Sequence, residues 1–368
     1  GNMFPVDGID IAAGFALRQP FFFGLDRYLG PLVAGDPLPP EYGPSLSGAS
    51  PIDDAPRIMD EAAQEADKTA DARPLPMGED AEYAGSNAFA VAPEKSGGPT
   101  ILVSNSHQPW RGVAWYELVV ESDDGWHYAG ANFPGSPFPF LGHNETLGWT
   151  NTVNTPDMID IYKLVLDDSG TRYRLDGKWR DLEETDITLP VRVGPFTLPI
   201  SRTVYRSVHG PVVKNDKGAF AIRYGGIGSI GQLDAYYRLN KAETYDEWYE
   251  ILSRGQIPST NFIYGDAEGN IAYVYNAAIP ERQAGPDWRS ILPGDDSALI
   301  WQDTVDYASL PQYLNPASGW LMNSNNNPFY AAGPGSDLSP DSVSPVMGVE
   351  FKMTNRGLRA WKLMSEAD

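Results

Sequence analysis

The chain contains no cysteine, so disulfides, thiol nucleophiles and cysteine-held metals are all excluded. Histidine is scarce: among 368 residues there are four, His107, His127, His143 and His209, and none sits in a His-Glu-x-x-His pattern. That removes the zincin class. No apolar run approaches the ~20 residues of a membrane span, and no signal peptide opens the sequence. Positive charge is in short supply as well. With 27 basic against 49 acidic residues the formal net charge is −22, which repels phosphate backbones and makes nucleic acid an unsuitable partner. Also missing is a Gly-x-Ser-x-Gly elbow on a strand-turn-helix.

What remains is a globular composition, 42% hydrophobic and 12% aromatic, long enough to bury a substantial core. The first 35 residues read as a helix over 9–19 followed by the apolar run Phe21-Phe22-Phe23, which calls for burial. Residues 36–85 are rich in Pro, Gly, Ser, Ala and acid, and read as a linker or spacer. From Ser86 onward the pattern turns to strands. Alternation and turn residues place them at 86–92, 99–105, 114–121, 127–131, 159–166, 171–175, 186–193, 197–206, 210–214, 219–224, 260–265 and 271–276. Thr244 with Glu247 is a capping-box signature for a helix over 245–253. Many strands with few helices predict an α+β domain of layered antiparallel sheets.

The chemistry is sought at Gly85-Ser86-Asn87, where a loop-like segment meets a buried strand. A serine that begins a chain needs no histidine, because its own α-amine, with a pKa of about 7.7–8.0, can serve as base. The amine is freed if the hydroxyl attacks the preceding carbonyl, and Gly85 tolerates the geometry this requires. Acyl transfer also needs two donors aimed at the oxyanion. Asn261 can supply one, and a backbone N–H within Thr150-Asn151-Thr152-Val153-Asn154 another. Trp110, Phe133, Phe138, Phe140 and Trp149 crowd the stretch before this run and suit an apolar acyl pocket.

Several stretches together resemble the penicillin acylase family of N-terminal nucleophile hydrolases, closest in look to its acyl-homoserine lactone acylase branch. They are Gly85-Ser86-Asn87, Asn105-Ser106-His107-Gln108-Pro109-Trp110, Gly142-His143-Asn144 with Gly148-Trp149-Thr150, Asn261 with Gly269-Asn270-Ile271-Ala272-Tyr273, Pro280-Glu281-Arg282-Gln283, and Asn323-Ser324-Asn325-Asn326. The resemblance implies an αββα sandwich, with 1–35 as the end of an α-subunit, 36–85 as a spacer and 86–368 as the start of the β-subunit. It implies autocleavage between Gly85 and Ser86, with Ser86 as nucleophile. It implies an oxyanion hole from the Val153 N–H and the Asn261 side chain, His107 as a residue positioning the nucleophile, and Arg282 as the arginine that orients Asn261 and the serine amine. Asp157, the Ile159 carbonyl and Asp160 match positions that hold a structural calcium in one branch. No organic cofactor is implied.

The expected activity is hydrolysis of a linear amide between an acyl group and an amine, the substrate an N-acyl-homoserine lactone or a penicillin-like compound. The partners are that small molecule and the protein's own α-subunit. The resemblance places the protein in the periplasm or outside the cell. Gln108 stands where quorum-quenching relatives carry an aromatic, which points away from long acyl chains. Gly1 is not a natural start and the family's members run longer, so the chain is expected to be part of a larger protein. Two rivals stand beside this reading: a non-catalytic or unprocessed scaffold of the same fold, and a glycosidase built on paired carboxylates.

Overall fold

A computed structural model describes residues 6–22, 24–38, 85–108 and 115–367. Most of the expected spacer over 36–85 lies outside them. In chain order the strands are β1 (Gly85–Val91), β2 (Ile101–His107), β3 (Tyr116–Ser122), β4 (Trp126–Asn132), β5 (Leu141–His143), β6 (Leu147–Thr152), β7 (Ile159–Leu164), β8 (Arg172–Leu175), β9 (Lys178–Asp181), β10 (Glu183–Val193), β11 (Phe196–Ser207), β12 (Gly210–Asn215), β13 (Gly218–Tyr224), β14 (Ser259–Asp266), β15 (Ile271–Ala277), β16 (Leu292–Pro293), β17 (Gln312–Leu314) and β18 (Trp320–Asn323). The α-helices are α1 (Gly8–Phe22), α2 (Asp26–Ala34), α3 (Pro93–Ser96), α4 (Gln232–Lys241), α5 (Tyr245–Ser253) and α6 (Asn355–Glu366).

Three sheets carry the fold. A small one has the order β18-β1-β2, a long one β17-β15-β14-β6-β5-β4-β3, and a third β10-β11-β12-β13-β7-β16. The small and the long sheet face each other. On β1 the inward residues after Ser86 are Ala88 and Ala90, whose size lets the sheets approach. Opposite them β14 and β15 alternate strictly. Ile263, Ile271, Tyr273 and Tyr275 join the core between the sheets. Phe262, Tyr264, Ala272 and Val274 point the other way, into a core with Tyr236 and Leu239 of α4 and Trp248, Ile251 and Leu252 of α5. This two-residue period is the strand's own geometry. On the outer face of the small sheet α6 packs against β18. The order helix, long sheet, small sheet, helix is the expected αββα sandwich.

Local chemistry sets the boundaries. Asp176 and Gly177 both have positive φ, 50° and 74°, as a two-residue turn between β8 and β9 requires. Thr244 caps α5 by accepting the Glu247 N–H at 3.3 Å. The Glu247 carboxylate accepts the Glu243 N–H instead of the Thr244 N–H, so the capping box closes one residue early. Among the described residues no helix is long and apolar enough to cross a membrane.

Candidate active site

Ser86 is placed by register. Ala88 of β1 pairs with Asn323 of β18, so two residues further on Ser86 falls opposite Asn325. There the partner chain leaves the strand: Asn325 has φ 61°, a left-handed conformation that asparagine tolerates. Its side chain accepts what the backbone would have taken, and the Ser86 N–H donates to Asn325 Oδ1 at 2.7 Å. The Ser86 hydroxyl donates to the Gly85 carbonyl at 2.7 Å. Ser86 is 4% exposed.

A third group completes the cluster. Arg356, in the first turn of α6, donates to the Ser86 carbonyl at 2.8 Å and to Asn87 Oδ1 at 2.5 Å from Nη1, and to Asn325 Oδ1 at 3.0 Å from Nη2. Burial lowers its pKa from the usual arginine value. Gly85 is needed for this approach, since a Cβ there would lie 2.5 Å from Arg356 Nη2 and 3.2 Å from Asn325 Oδ1. The start of α6 is fastened to the asparagine loop that carries Asn325. Thr354 Oγ1 donates to the Ser324 carbonyl at 2.9 Å, and Gly357 packs so close to Asn326 that a Cβ would meet its Oδ1 at 2.9 Å.

The same loop reaches the expected oxyanion donors. Asn325 donates its N–H to Asn323 Oδ1 at 2.8 Å and its side-chain amide to the Val153 carbonyl at 2.9 Å. Asn261 Nδ2 donates to Thr152 Oγ1 at 3.0 Å and to Asn323 Oδ1 at 3.4 Å, while its Oδ1 accepts the Tyr273 hydroxyl at 2.8 Å. Ser86, Val153 and Asn261 therefore converge on Asn323 to Asn325. Val153 is half-exposed just past the end of β6. Thr260, immediately before Asn261, has φ 131°, and its hydroxyl donates to the Thr152 carbonyl at 3.0 Å. A β-branched residue held there stores about 1–3 kcal/mol of strain, a cost that concentrates at sites fixed for function.

Other expected residues are placed differently. His107 pairs across from Gly85, on the face that Asn87 and Asn105 share, and Ser86 is on the opposite face. Its Nε2 lies 3.1 Å from Asn87 Nδ2 and 2.9 Å from Asn105 Oδ1. It thus reaches the nucleophile strand through Asn87. Burial first, and then the Arg356 charge, lower its pKa and favour the neutral ring.

Among the described residues Arg282 bonds to neither Ser86 nor Asn261 but to two carboxylates. It is buried between two carboxylates, donating to both oxygens of Asp157 at 2.7 Å and from Nε to Asp160 Oδ2 at 3.0 Å. Asp160 Oδ2 also accepts the Trp301 indole N–H at 2.6 Å, and Asp160 Oδ1 is a buried atom without a hydrogen-bond partner among the described residues. Burial is the main cause raising the Asp160 carboxyl pKa, to about 6. Asp157, Ile159 and Asp160 were the expected calcium ligands. As placed, the guanidinium fills the space between the two carboxylates, and a calcium ion does not fit there alongside it.

The aromatic residues form a cluster of their own. The Trp115 and Phe133 rings stack at 3.8 Å between centroids, Phe140 lies 4.5 Å from Tyr236, and Phe138 lies 5.6 Å from Trp126. Trp149 is fully buried, its N–H on the Phe140 carbonyl at 2.9 Å, in the core beneath α4 and α5. It is on the opposite face of β6 from Thr152, which bonds to Asn261. Phe15 of α1 approaches Phe140 at 6.1 Å, so the upstream segment packs on this cluster. Trp110 lies outside the described residues. Arg356 and the role of Asn325 escaped the sequence reading, although Asn325 stands within one of the stretches carrying the resemblance.

The four layers, with Ser86 near the start of the central strand of the small sheet, form the α+β sandwich also seen in the penicillin acylase structure reported below. The chain belongs to the penicillin amidase family, whose model matches residues 31–368. It is 30% identical over 263 residues to penicillin G acylase of Escherichia coli, an alignment covering 69% of this chain and 30% of that protein. To acyl-homoserine lactone acylase PvdQ of Pseudomonas fluorescens it is 30% identical over 290 residues, covering 70% of this chain and 37% of the relative. The chain thus spans about a third of the length of the curated relatives it matches. Among solved structures, a thermostable penicillin G acylase from Alcaligenes faecalis superposes with a TM-score of 0.59 at 24% identity, over 76% of this chain and 52% of that one.

Proposed function

We propose that this protein hydrolyses a linear amide through Ser86, first freed as an N-terminal residue by cleavage of its own chain. The observation that carries the reading is the Ser86 hydroxyl donating to the Gly85 carbonyl, with the Ser86 N–H held by Asn325. In the cleavage, Ser86 Oγ bonds to the Gly85 carbonyl carbon, the carbon–nitrogen bond breaks, and the hydroxyl proton passes to the nitrogen. Water then opens the ester, leaving a Gly85 carboxylate and a Ser86 α-amine.

In turnover the amine takes the Ser86 hydroxyl proton as Oγ attacks the substrate carbonyl. It returns the proton to the leaving amine, and water releases the acid from the acyl-enzyme. Asn261 Nδ2 and the Val153 N–H are the donors for the oxyanion. The amide of Asn261 is held at both ends before substrate arrives, so the oxyanion takes over one of its existing bonds. The substrate class is an acyl-homoserine lactone or a penicillin-like amide, by likeness to the relatives. Calcium takes no part in these steps.

The test is turnover of a phenylacetyl anilide and of a short N-acyl-homoserine lactone by wild type and Ser86→Ala. The reading expects hydrolysis by wild type of at least one and loss in the variant. Equal turnover by both proteins would sink it. Absence of turnover in both, with no acyl adduct on Ser86, would favour the non-catalytic scaffold.

A further inference from the structure

We infer that Arg356 is the positioning residue that keeps the freed Ser86 α-amine unprotonated, with Asn325 Oδ1 fixing the direction of that amine. This rests on the reading of Ser86 as an N-terminal nucleophile. The geometry is already present around the uncleaved bond. Ser86 N donates to Asn325 Oδ1, and the same oxygen accepts from Arg356 Nη2. Once the chain is cut, the nitrogen keeps that acceptor, and its lone pair turns from it toward the hydroxyl it must deprotonate.

The electrostatics follow from what surrounds the nitrogen. From α6 comes Arg356, a cation whose bonding partners among the described residues are all neutral: the Ser86 carbonyl, Asn87 Oδ1 and Asn325 Oδ1. From β2 comes His107, through Asn87, with its neutral form favoured. From β15 comes the Tyr273 hydroxyl, through Asn261. From the loop after β18 come the neutral amides of Asn323 and Asn325. Among the described residues, no side-chain carboxylate is bonded to residues 85–87 or to Arg356, and the Gly85 carboxylate made by the cut is expected to leave with the spacer. The start of α6 adds positive potential of the same sign. A cation beside an amine, uncompensated by an anion, disfavours the ammonium form. Arg282 cannot supply this field, because two carboxylates neutralise it.

The experiment reads the amine without needing the substrate. Phenylmethylsulfonyl fluoride is reacted with the processed full chain across pH 5 to 9, and adduct formation on Ser86 is followed by intact mass. The reagent bonds to Oγ, fluoride leaves, and the hydroxyl proton goes to the amine. Arg356→Gln is expected to raise the midpoint of this profile by about one pH unit, a rate about tenfold lower one unit below the wild-type midpoint. Arg356→Lys is expected to keep the midpoint near wild type. If Arg356→Gln stalls before cleavage, Asn325→Asp carries the test, since a carboxylate against the amine must also raise the midpoint. An unmoved midpoint in the processed variant lacking the charge overturns the inference while leaving Ser86 as nucleophile. A wild-type chain with no new N-terminus and no adduct at Ser86 overturns the underlying reading instead.

Discussion

Two arginines define two regions of this molecule, and they differ in their partners. Arg282 is fully buried and bonded to Asp157 and Asp160, so its charge is cancelled where it lies. Arg356 is half-buried, with partial negative charge from carbonyl and amide oxygens around it. The first arrangement is a structural pair. Desolvating three ionised groups is costly, and their mutual attraction offsets that cost only while all three are present. The second leaves a net positive charge directed at the peptide nitrogen of the proposed nucleophile. A buried charge that is satisfied holds the fold; one left uncompensated beside a reactive group is available to shift its proton.

Removing one partner from the satisfied region should have the largest effect. Arg282→Met leaves two buried carboxylates facing each other, an expected loss of about 3–5 kcal/mol in urea unfolding. A loss below about 1 kcal/mol would mean that Arg282 is not bound as described.

Next is Glu350, which neighbours the same region. Its carboxylate accepts the Thr155 N–H at 2.9 Å and the Tyr275 hydroxyl, and burial raises its pKa to about 7. A carboxyl with a raised folded pKa binds its proton more tightly in the native state. Stability should therefore fall as pH rises from about 4.5 to 7 and level off above. Glu350→Gln should remove this slope, with a gain of up to about 3 kcal/mol at pH 8. Unfolding curves at pH 5 and pH 8 that change alike in both proteins would speak against it.

Arg356→Met should cost less than Arg282→Met, about 1–2 kcal/mol, because only bonds to neutral acceptors are lost. A loss as large as that of Arg282→Met would erase the contrast between the two sites. Thr244→Ala, far from both in sequence, loses the cap of α5 and should cost about 1 kcal/mol in thermal unfolding. The smallest effect is expected from calcium chelation, which should leave the melting temperature unchanged because the Arg282 guanidinium fills the space between the carboxylates. A drop of several degrees would contradict that placement.

The strands were legible in the sequence wherever alternation was strong. β10 and β11 meet about Gly194-Pro195, and β14 and β15 keep the expected ranges to within a residue. What was missed carried polar or short patterns. β6 ends in Thr150-Asn151-Thr152, where the two threonines bond across to the small sheet and Asn151 to the neighbouring β14, instead of filling a core. α4 shows its apolar face only over Ala235, Tyr236 and Leu239. α6 buries little and is held by Thr354 and Trp361 contacts. Within the site, Ser86, Val153 and Asn261 were expected from chemistry and resemblance, and the structure gathers them around the loop of Asn323 to Asn325. Arg356 was not, because its partners are 31 and about 270 residues away in sequence and no local pattern marks it. Arg282 carried the motif, while a different arginine reaches the serine.

The central claim, that Ser86 begins a chain in the working protein, is tested most directly by intact mass and N-terminal sequencing of wild type beside Ser86→Ala. The account predicts a new N-terminus at Ser86 in wild type and none in the variant. A wild-type protein that turns over amide substrate with the Gly85–Ser86 bond intact would contradict it.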